Sequence, residues 1–256
     1  MVHLKALNTG YASRVVGKGL CGHLPRATLT ALVGVNGVGK STLLRTLMGD
    51  LPVLSGSVLL NGKDLSAYSV GERARALGVV LTRRVEADYM PVREVVELGR
   101  LPYTSLFGRL NEEDLFQVDS ALERLDLKAM AHRAVGTLSD GERQRVMIAK
   151  ALAQQTPLIV LDEPTAFLDY PTKVELFLLL RDLAHQHQKT ILLSTHDLDL
   201  ALRLSDRLWL LSAEGLCEGT PHDFAQNKKI DQIFSSPTLQ FSAQQVISYS
   251  PFTTLT

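Results

Sequence analysis

Residues 34–41 read GVNGVGKS, which satisfies G-x-x-x-x-G-K-[ST] at every position. Glycines at 34, 37 and 39 let the backbone curl, so that its N–H groups converge on phosphate oxygens. The candidate phosphate contacts are Gly34, Asn36, Gly37, Val38, Gly39 and Lys40, with Thr42 placed for one more. Lys40 has the reach for β- and γ-phosphates, and the Ser41 hydroxyl is a hard oxygen ligand suited to Mg²⁺. A helix beginning near Lys40 adds the positive end of its dipole.

Two further segments carry compatible chemistry. The apolar run LIVL at 158–161 ends in Asp162-Glu163-Pro164. It delivers two carboxylates to the C-terminal edge of a strand, where ligands bind in open α/β sheets. Adjacent strand residues point to opposite faces, so the pair is expected to divide the work. Asp162 holds Mg²⁺, directly or through water, and Glu163 polarises an attacking water as general base. At 138–145, LSDGERQR sets Ser139 and Glu142 at the spacing of a capping box. The same serine, with Gly141 and an open helix start, also composes a second anion site. One chain seldom needs two such cradles. A head-to-tail pair of chains uses both, each serine cap closing over phosphates held by the other's Lys40.

Positioning these groups requires strands that end at one edge and helices that begin there. Apolar strands are expected at 28–35, 56–60, 78–81, 158–161 and 190–194, with Asn61-Gly62 turning the second. Helical spacing predicts helices over 40–48, 91–99, 112–127, 139–155 and 171–187. Such alternation defines an α/β fold with a parallel sheet. From about 85 to about 137 the pattern holds helices and loops but no strand, and reads as a helical insert. The polar end, about 240–256, reads as a loosely packed tail.

Composition narrows the class. The 27 Lys and Arg balance 27 Asp and Glu, which argues against a dedicated nucleic-acid binder. Cys21 and Cys217 form no C-x-x-C pair, excluding a disulfide framework and a cysteine zinc site. No apolar stretch approaches the roughly 18–20 residues a bilayer needs. The start MVHLKALNTG lacks the apolar core of a secretory signal. The expectation is a soluble, cytoplasmic chain that meets a membrane only through a partner.

The motifs resemble, in kind and order, those of the ATP-binding-cassette (ABC) ATPases. GVNGVGKST comes first, then LSDGE where the family has an LSGGQ-type signature, then LIVLDEP, then His196 in LLSTHD. The resemblance spans residues 4–225. It implies a P-loop NTPase core with a mainly parallel sheet, an N-terminal antiparallel β subdomain and the helical insert, all one nucleotide-binding domain over 1–256. It implies ATP and Mg²⁺ as ligands and Tyr11 as the aromatic that stacks on adenine. Asp169, in AFLD, matches the D-loop that communicates across a dimer. His196 matches the switch histidine on the γ-phosphate, catalytic together with Glu163. Ser139, Gly141 and Glu142 would contact the partner's ATP. His185 and His187, two apart, share no helix face and make a poor metal pair. Where the family has Gln after the strand GVVL, this chain has Thr82, then Arg83-Arg84. Thr82 still offers Mg²⁺ a hydroxyl, with shorter reach.

The stretch LGRLPYTSLFGR at 98–109 resembles a segment of importers for iron chelates, haem and cobalamin. In it Tyr103, Leu106 and Phe107 either dock a permease helix or fill the insert's own core. The resemblance therefore implies the ATPase subunit of a bacterial importer for an iron–siderophore, haem or cobalamin-type chelate. It would act as a homodimer on permease subunits at the cytoplasmic face of the inner membrane. A substrate-binding protein would serve it indirectly, and no nucleic acid is expected. Rival readings are a non-transport ABC ATPase acting on DNA or ribosomes, a nucleotide-gated binding module with weak hydrolysis, and an exporter subunit.

Overall fold

A computed structural model describes residues 1–12, 14–81, 87–104, 108–235 and 241–248. Thr82, Arg83, Arg84, Leu106 and Phe107 lie outside them. In chain order the strands are β1 (Val2–Tyr11), β2 (Arg14–Leu24), β3 (Leu29–Val33), β4 (Ser55–Leu60), β5 (Lys63–Asp64), β6 (Leu77–Val80), β7 (Leu158–Leu161), β8 (Thr190–Ser194), β9 (Arg207–Ser212) and β10 (Gly215–Gly219). The helices are α1 (Lys40–Met48), α2 (Val70–Ala76), α3 (Val92–Glu97), α4 (Glu112–Arg124), α5 (Asp140–Ala153), α6 (Tyr170–His185), α7 (Leu198–Leu204), α8 (Pro221–Asn227), α9 (Lys229–Phe234) and α10 (Ala243–Ser248). The chain forms two compact units, Met1–Tyr68 with Val174–Thr256, and Ser69–Lys173.

In the first unit β3 runs parallel to both β8 and β9, and β10 returns antiparallel to β9. Every residue of β3 and of β8 is buried, as apolar runs covered on both faces must be. A second sheet, in the order β2-β1-β4-β5, is antiparallel throughout. Its last hairpin turns on Asn61 and Gly62, at φ 52° and 83°, the positive pair that matches strand twist. The α/β fold with a separate N-terminal antiparallel sheet is thus the architecture expected.

One expectation fails in this unit. The end of the chain is not loose throughout. Residues 243–248 form α10, with Ala243 fully buried and Val246 and Ile247 packed on the core of Ala31, Leu208, Phe224 and Ile230. Polar composition hid an apolar stripe at i, i+3 and i+4, which is all a short docked helix needs.

In the second unit β6 and β7 pair in parallel, Val80 opposite Leu161, and α3 and α4 pack on α5. Among the described residues between 87 and 136 there are helices, 3-10 turns and one isolated bridge, Pro91 to Ala134, but no strand. Helix α3 stops at Glu97 because Leu98–Tyr103 tightens into a 3-10 turn containing Pro102. Arg100 anchors that turn. Its guanidinium pairs with Asp114 at 2.8 Å, both side chains nearly inaccessible, and donates to Ala153 O at 2.7 Å. The Tyr103 ring lies 4.1 Å from the Arg100 guanidinium, and its hydroxyl donates to Gln154 O. Tyr103 is therefore held within the unit, with about a third of its surface exposed. Helix α2 escaped the sequence reading because none of its residues is buried, so no apolar stripe marks it.

Candidate nucleotide site

The first unit builds a cradle from backbone. Strand β3 feeds the loop 34–39 and α1 begins at Lys40. Gly39 sits at φ 112°, and a Cβ there would lie 2.6 Å from Val16 Cγ1. Only glycine meets both conditions. Lys40 is 5% exposed, and its Nζ donates to Gly34 O at 2.7 Å and Val35 O at 3.3 Å. The ammonium thus lies over the start of the loop 34–39. No side chain caps α1 and its first turn holds no acid, which leaves the positive end of the helix to an external anion. Ser41 is exposed, and Asn36 and Gly37 are open to solvent beside it.

His196 and Tyr11 belong to the same unit. Thr195 N donates to Leu32 O at 3.2 Å, extending the β3–β8 ladder by one residue. His196 therefore leaves the sheet at the edge from which Gly34 departs, and it is exposed there. Tyr11 ends β1 opposite Arg14 and is 45% exposed. The contact of Val16 with Gly39 brings the β1–β2 hairpin against the phosphate loop. That contact joins residues distant in sequence, and no spacing signals it.

The second unit supplies carboxylates. Asp162 N donates to Val80 O at 2.9 Å, so the acidic pair emerges directly from the parallel ladder. Both acids are half-buried. Glu163 adopts φ 48°, a left-handed conformation that costs a non-glycine residue about 1–2 kcal/mol. The turn continues through Ala166 N to Glu163 O and Leu168 N to Thr165 O, with a second left-handed residue, Phe167, at φ 67°. Asp169 then caps α6, accepting from Thr172 N at 3.1 Å. The Thr172 hydroxyl and amide together hold the Asp169 carboxyl below the usual carboxylate range.

In the same unit the expected capping box closes at the start of α5. Ser139 N donates to Glu142 Oε2 at 2.8 Å, Ser139 Oγ to the same oxygen at 2.9 Å, and Glu142 N back to Ser139 Oγ at 3.2 Å. The Ser139 amide, then its hydroxyl, with Arg133 and Arg145 further off, depress the Glu142 carboxyl below its ordinary value. Gly141 is half-buried, facing Thr172. His185 and His187 are engaged by Asp206 and Asp182. Thr82 lies outside the described residues.

A glycine cradle after a buried strand, with a carboxylate pair at the end of a second parallel ladder, defines a P-loop nucleotide-binding α/β protein. A family model described as ABC transporter matches residues 18–166, and the chain belongs to that family, whose ATP-binding domain it carries. It is 37% identical to the achromobactin transport ATP-binding protein CbrD of Dickeya dadantii (strain 3937), over 90% of this chain and 86% of that one. It is 38% identical to the iron(3+)-hydroxamate import ATP-binding protein FhuC of Bacillus subtilis (strain 168), over 89% and 85%. Its fold is similar to a solved ATP-binding cassette dimer in a post-hydrolysis state with ADP and Pi, at a TM-score of 0.73 and 25% identity, over 86% of this chain and 98% of that one. No helix among the described residues is long and apolar enough to cross a membrane.

Among the described residues no three His, Cys, Asp or Glu side chains cluster as a metal cage. The Ser41 hydroxyl in the first unit and the Asp162 carboxylate in the second are each hard oxygen donors of the kind Mg²⁺ takes.

Proposed function

We propose that this chain is the ATP-hydrolysing subunit of an ABC importer for an iron chelate (siderophore or haem) or cobalamin. The observation that carries the reading is the complete phosphate cradle in a chain similar along nine-tenths of its length to achromobactin and hydroxamate transport ATP-binding proteins. Its two units act as one nucleotide-binding domain, the stretch of about 85–137 serving as the helical insert toward a permease. Two copies assemble head to tail on permease subunits at the cytoplasmic face of the membrane. A substrate-binding protein delivers the cargo.

The chemistry follows from the chain's own groups. Tyr11 stacks on adenine. Backbone N–H groups of 34–42 and the Lys40 ammonium hold the β- and γ-phosphates. Glu163 accepts a proton from the attacking water, and His196 positions that water and the γ-phosphate. Ser139, Gly141 and Glu142 of a second copy close the far side, and Asp169 faces the same junction. Ser41 and Asp162 would hold Mg²⁺, with the Thr82 hydroxyl as a further candidate donor, and the ion would supply neutralisation of phosphate charge.

The test is a detergent pull-down of the tagged chain from its native membrane, followed by mass spectrometry. A polytopic permease together with a chelate-binding protein is the expected result. Recovery of soluble partners alone refutes the transport reading and leaves the ATPase reading to stand on turnover.

A further inference from the structure

Thr172 touches two segments that serve different nucleotides in a head-to-tail pair. Its amide and hydroxyl bond the Asp169 carboxylate, at the end of the turn that starts from Glu163. Its methyl faces the start of α5, where a Cβ built on Gly141 would lie 2.9 Å from Thr172 Cγ2. A β-branched side chain in a helix has few χ1 choices. The methyl cannot swing away from Gly141 while the hydroxyl keeps Asp169. Serine would lack the methyl, and valine would lack the hydroxyl.

The turn that Thr172 terminates has little slack. Two of its residues, Glu163 and Phe167, are left-handed, and two successive backbone hydrogen bonds, Ala166 N to Glu163 O and Leu168 N to Thr165 O, close it. Such a segment shifts as a piece instead of absorbing movement. At the other end, the closed box of Ser139 and Glu142 makes the start of α5 equally definite.

We propose that Thr172 is a positioning residue that couples the Glu163–Asp169 turn, which serves a chain's own ATP, to the Ser139–Gly141 helix start, which serves the second copy's. The inference rests on the head-to-tail dimer of the proposed function and adds the link inside each copy that lets one site sense the other. Reciprocity follows: whatever closes Ser139 and Gly141 on a partner's phosphates also adjusts the carboxylate turn at the chain's own site, and the reverse holds equally.

The experiment uses the full chain carrying Glu163→Gln, which slows consumption of ATP, and follows Mg–ATP-driven dimerisation by sedimentation. Thr172→Ser and Thr172→Val should each weaken dimerisation about fivefold, a normal coupling for touching residues. ATP affinity at dilutions where the chain is monomeric should stay unchanged, as should the melting temperature. In the chain with Glu163 intact, both variants should lower the Hill coefficient of ATP hydrolysis toward one. Gly141→Ala should weaken dimerisation more, by about tenfold, through its clash with the Thr172 methyl. Adding Thr172→Ser removes that methyl and should recover part of the loss. Wild-type dimerisation and Hill coefficient in both Thr172 variants would overturn the coupling, as would strictly additive losses in the Gly141→Ala and Thr172→Ser pair. Absence of any ATP-driven dimer with Thr172 and Gly141 intact would overturn the dimer reading itself, and the coupling with it.

Discussion

The two helix starts proposed to take phosphate are built in opposite ways. Helix α1 follows a left-handed glycine, has no side-chain cap and carries no acid in its first turn. Helix α5 follows Ser139, closes a reciprocal box with Glu142 and carries Asp140 and Glu142 in its first turn. The first leaves its dipole open and lays an ammonium beside it. The second satisfies itself with its own carboxylate. An anion can therefore enter the α1 cradle without breaking any side-chain cap. At α5, Ser139 must first part from Glu142 before its hydroxyl can donate elsewhere. In the proposed head-to-tail pair this difference sets an order, with phosphate taken first by the loop of one copy and only then by the serine of another.

The sharpest test separates binding from turnover. Glu163→Gln removes the proposed proton acceptor but leaves Lys40 and Ser139 in place, so kcat should fall about a thousandfold while ATP affinity is kept. Stopped or steady-state phosphate release alongside equilibrium nucleotide titration reads both quantities. Lys40→Ala acts on the open cradle. It removes the proposed charge-assisted contact to two phosphates and should raise the ATP Kd about a hundredfold, measurable by calorimetry. If Glu163→Gln turned over normally, the assignment of the base would fall. If Lys40→Ala bound ATP as before, the contrast between an open and a closed helix start would lose its functional meaning.

These two sites were legible in the sequence for different physical reasons. The cradle is local. Glycine freedom, a lysine and a strand–loop–helix order lie within a dozen residues, and α1 starts and ends at the residues its pattern predicts. The acidic pair and the capping box are equally local, so β7 and the bonds of Ser139 with Glu142 appear where spacing put them. What the sequence withheld is tertiary. Val16 against Gly39 and Thr172 against Gly141 join residues whose spacing carries no period. The Arg100–Asp114 pair is similar, since nothing in a charge pattern says that an arginine will be buried. Helix α10 was lost to composition, because three apolar residues suffice when a core is waiting to receive them.

Ser139→Ala probes the closed start directly. It removes the acceptor for Glu142 N and one of two donors to Glu142 Oε2. Loss of an N-cap should cost about 1 kcal/mol of stability, seen as a lower urea midpoint. If the serine of a second copy meets the phosphate as proposed, turnover should fall at least about tenfold. ATP affinity of the dilute chain should not change, since α1 is untouched. A drop in that affinity would mean that the two helix starts are not independent within one copy.

The smallest effect concerns the carboxylate that keeps α5 closed. Glu142 is held below the ordinary glutamate value by the Ser139 amide and hydroxyl, so the folded chain prefers it ionised more than the unfolded chain does. The sign follows from that preference. Its contribution is present above the unfolded value of about 4.3 and fades as pH falls through the lower folded value. Glu142→Gln has no such titration. The melting temperature of the native chain should exceed that of the variant by about 1 °C at pH 7, a size set by the exposure of the carboxylate. The gap should close below about pH 4. A gap that stayed constant into acid would show that the cap works through shape and not charge. The contrast with the acid-free start of α1 would then be one of geometry alone.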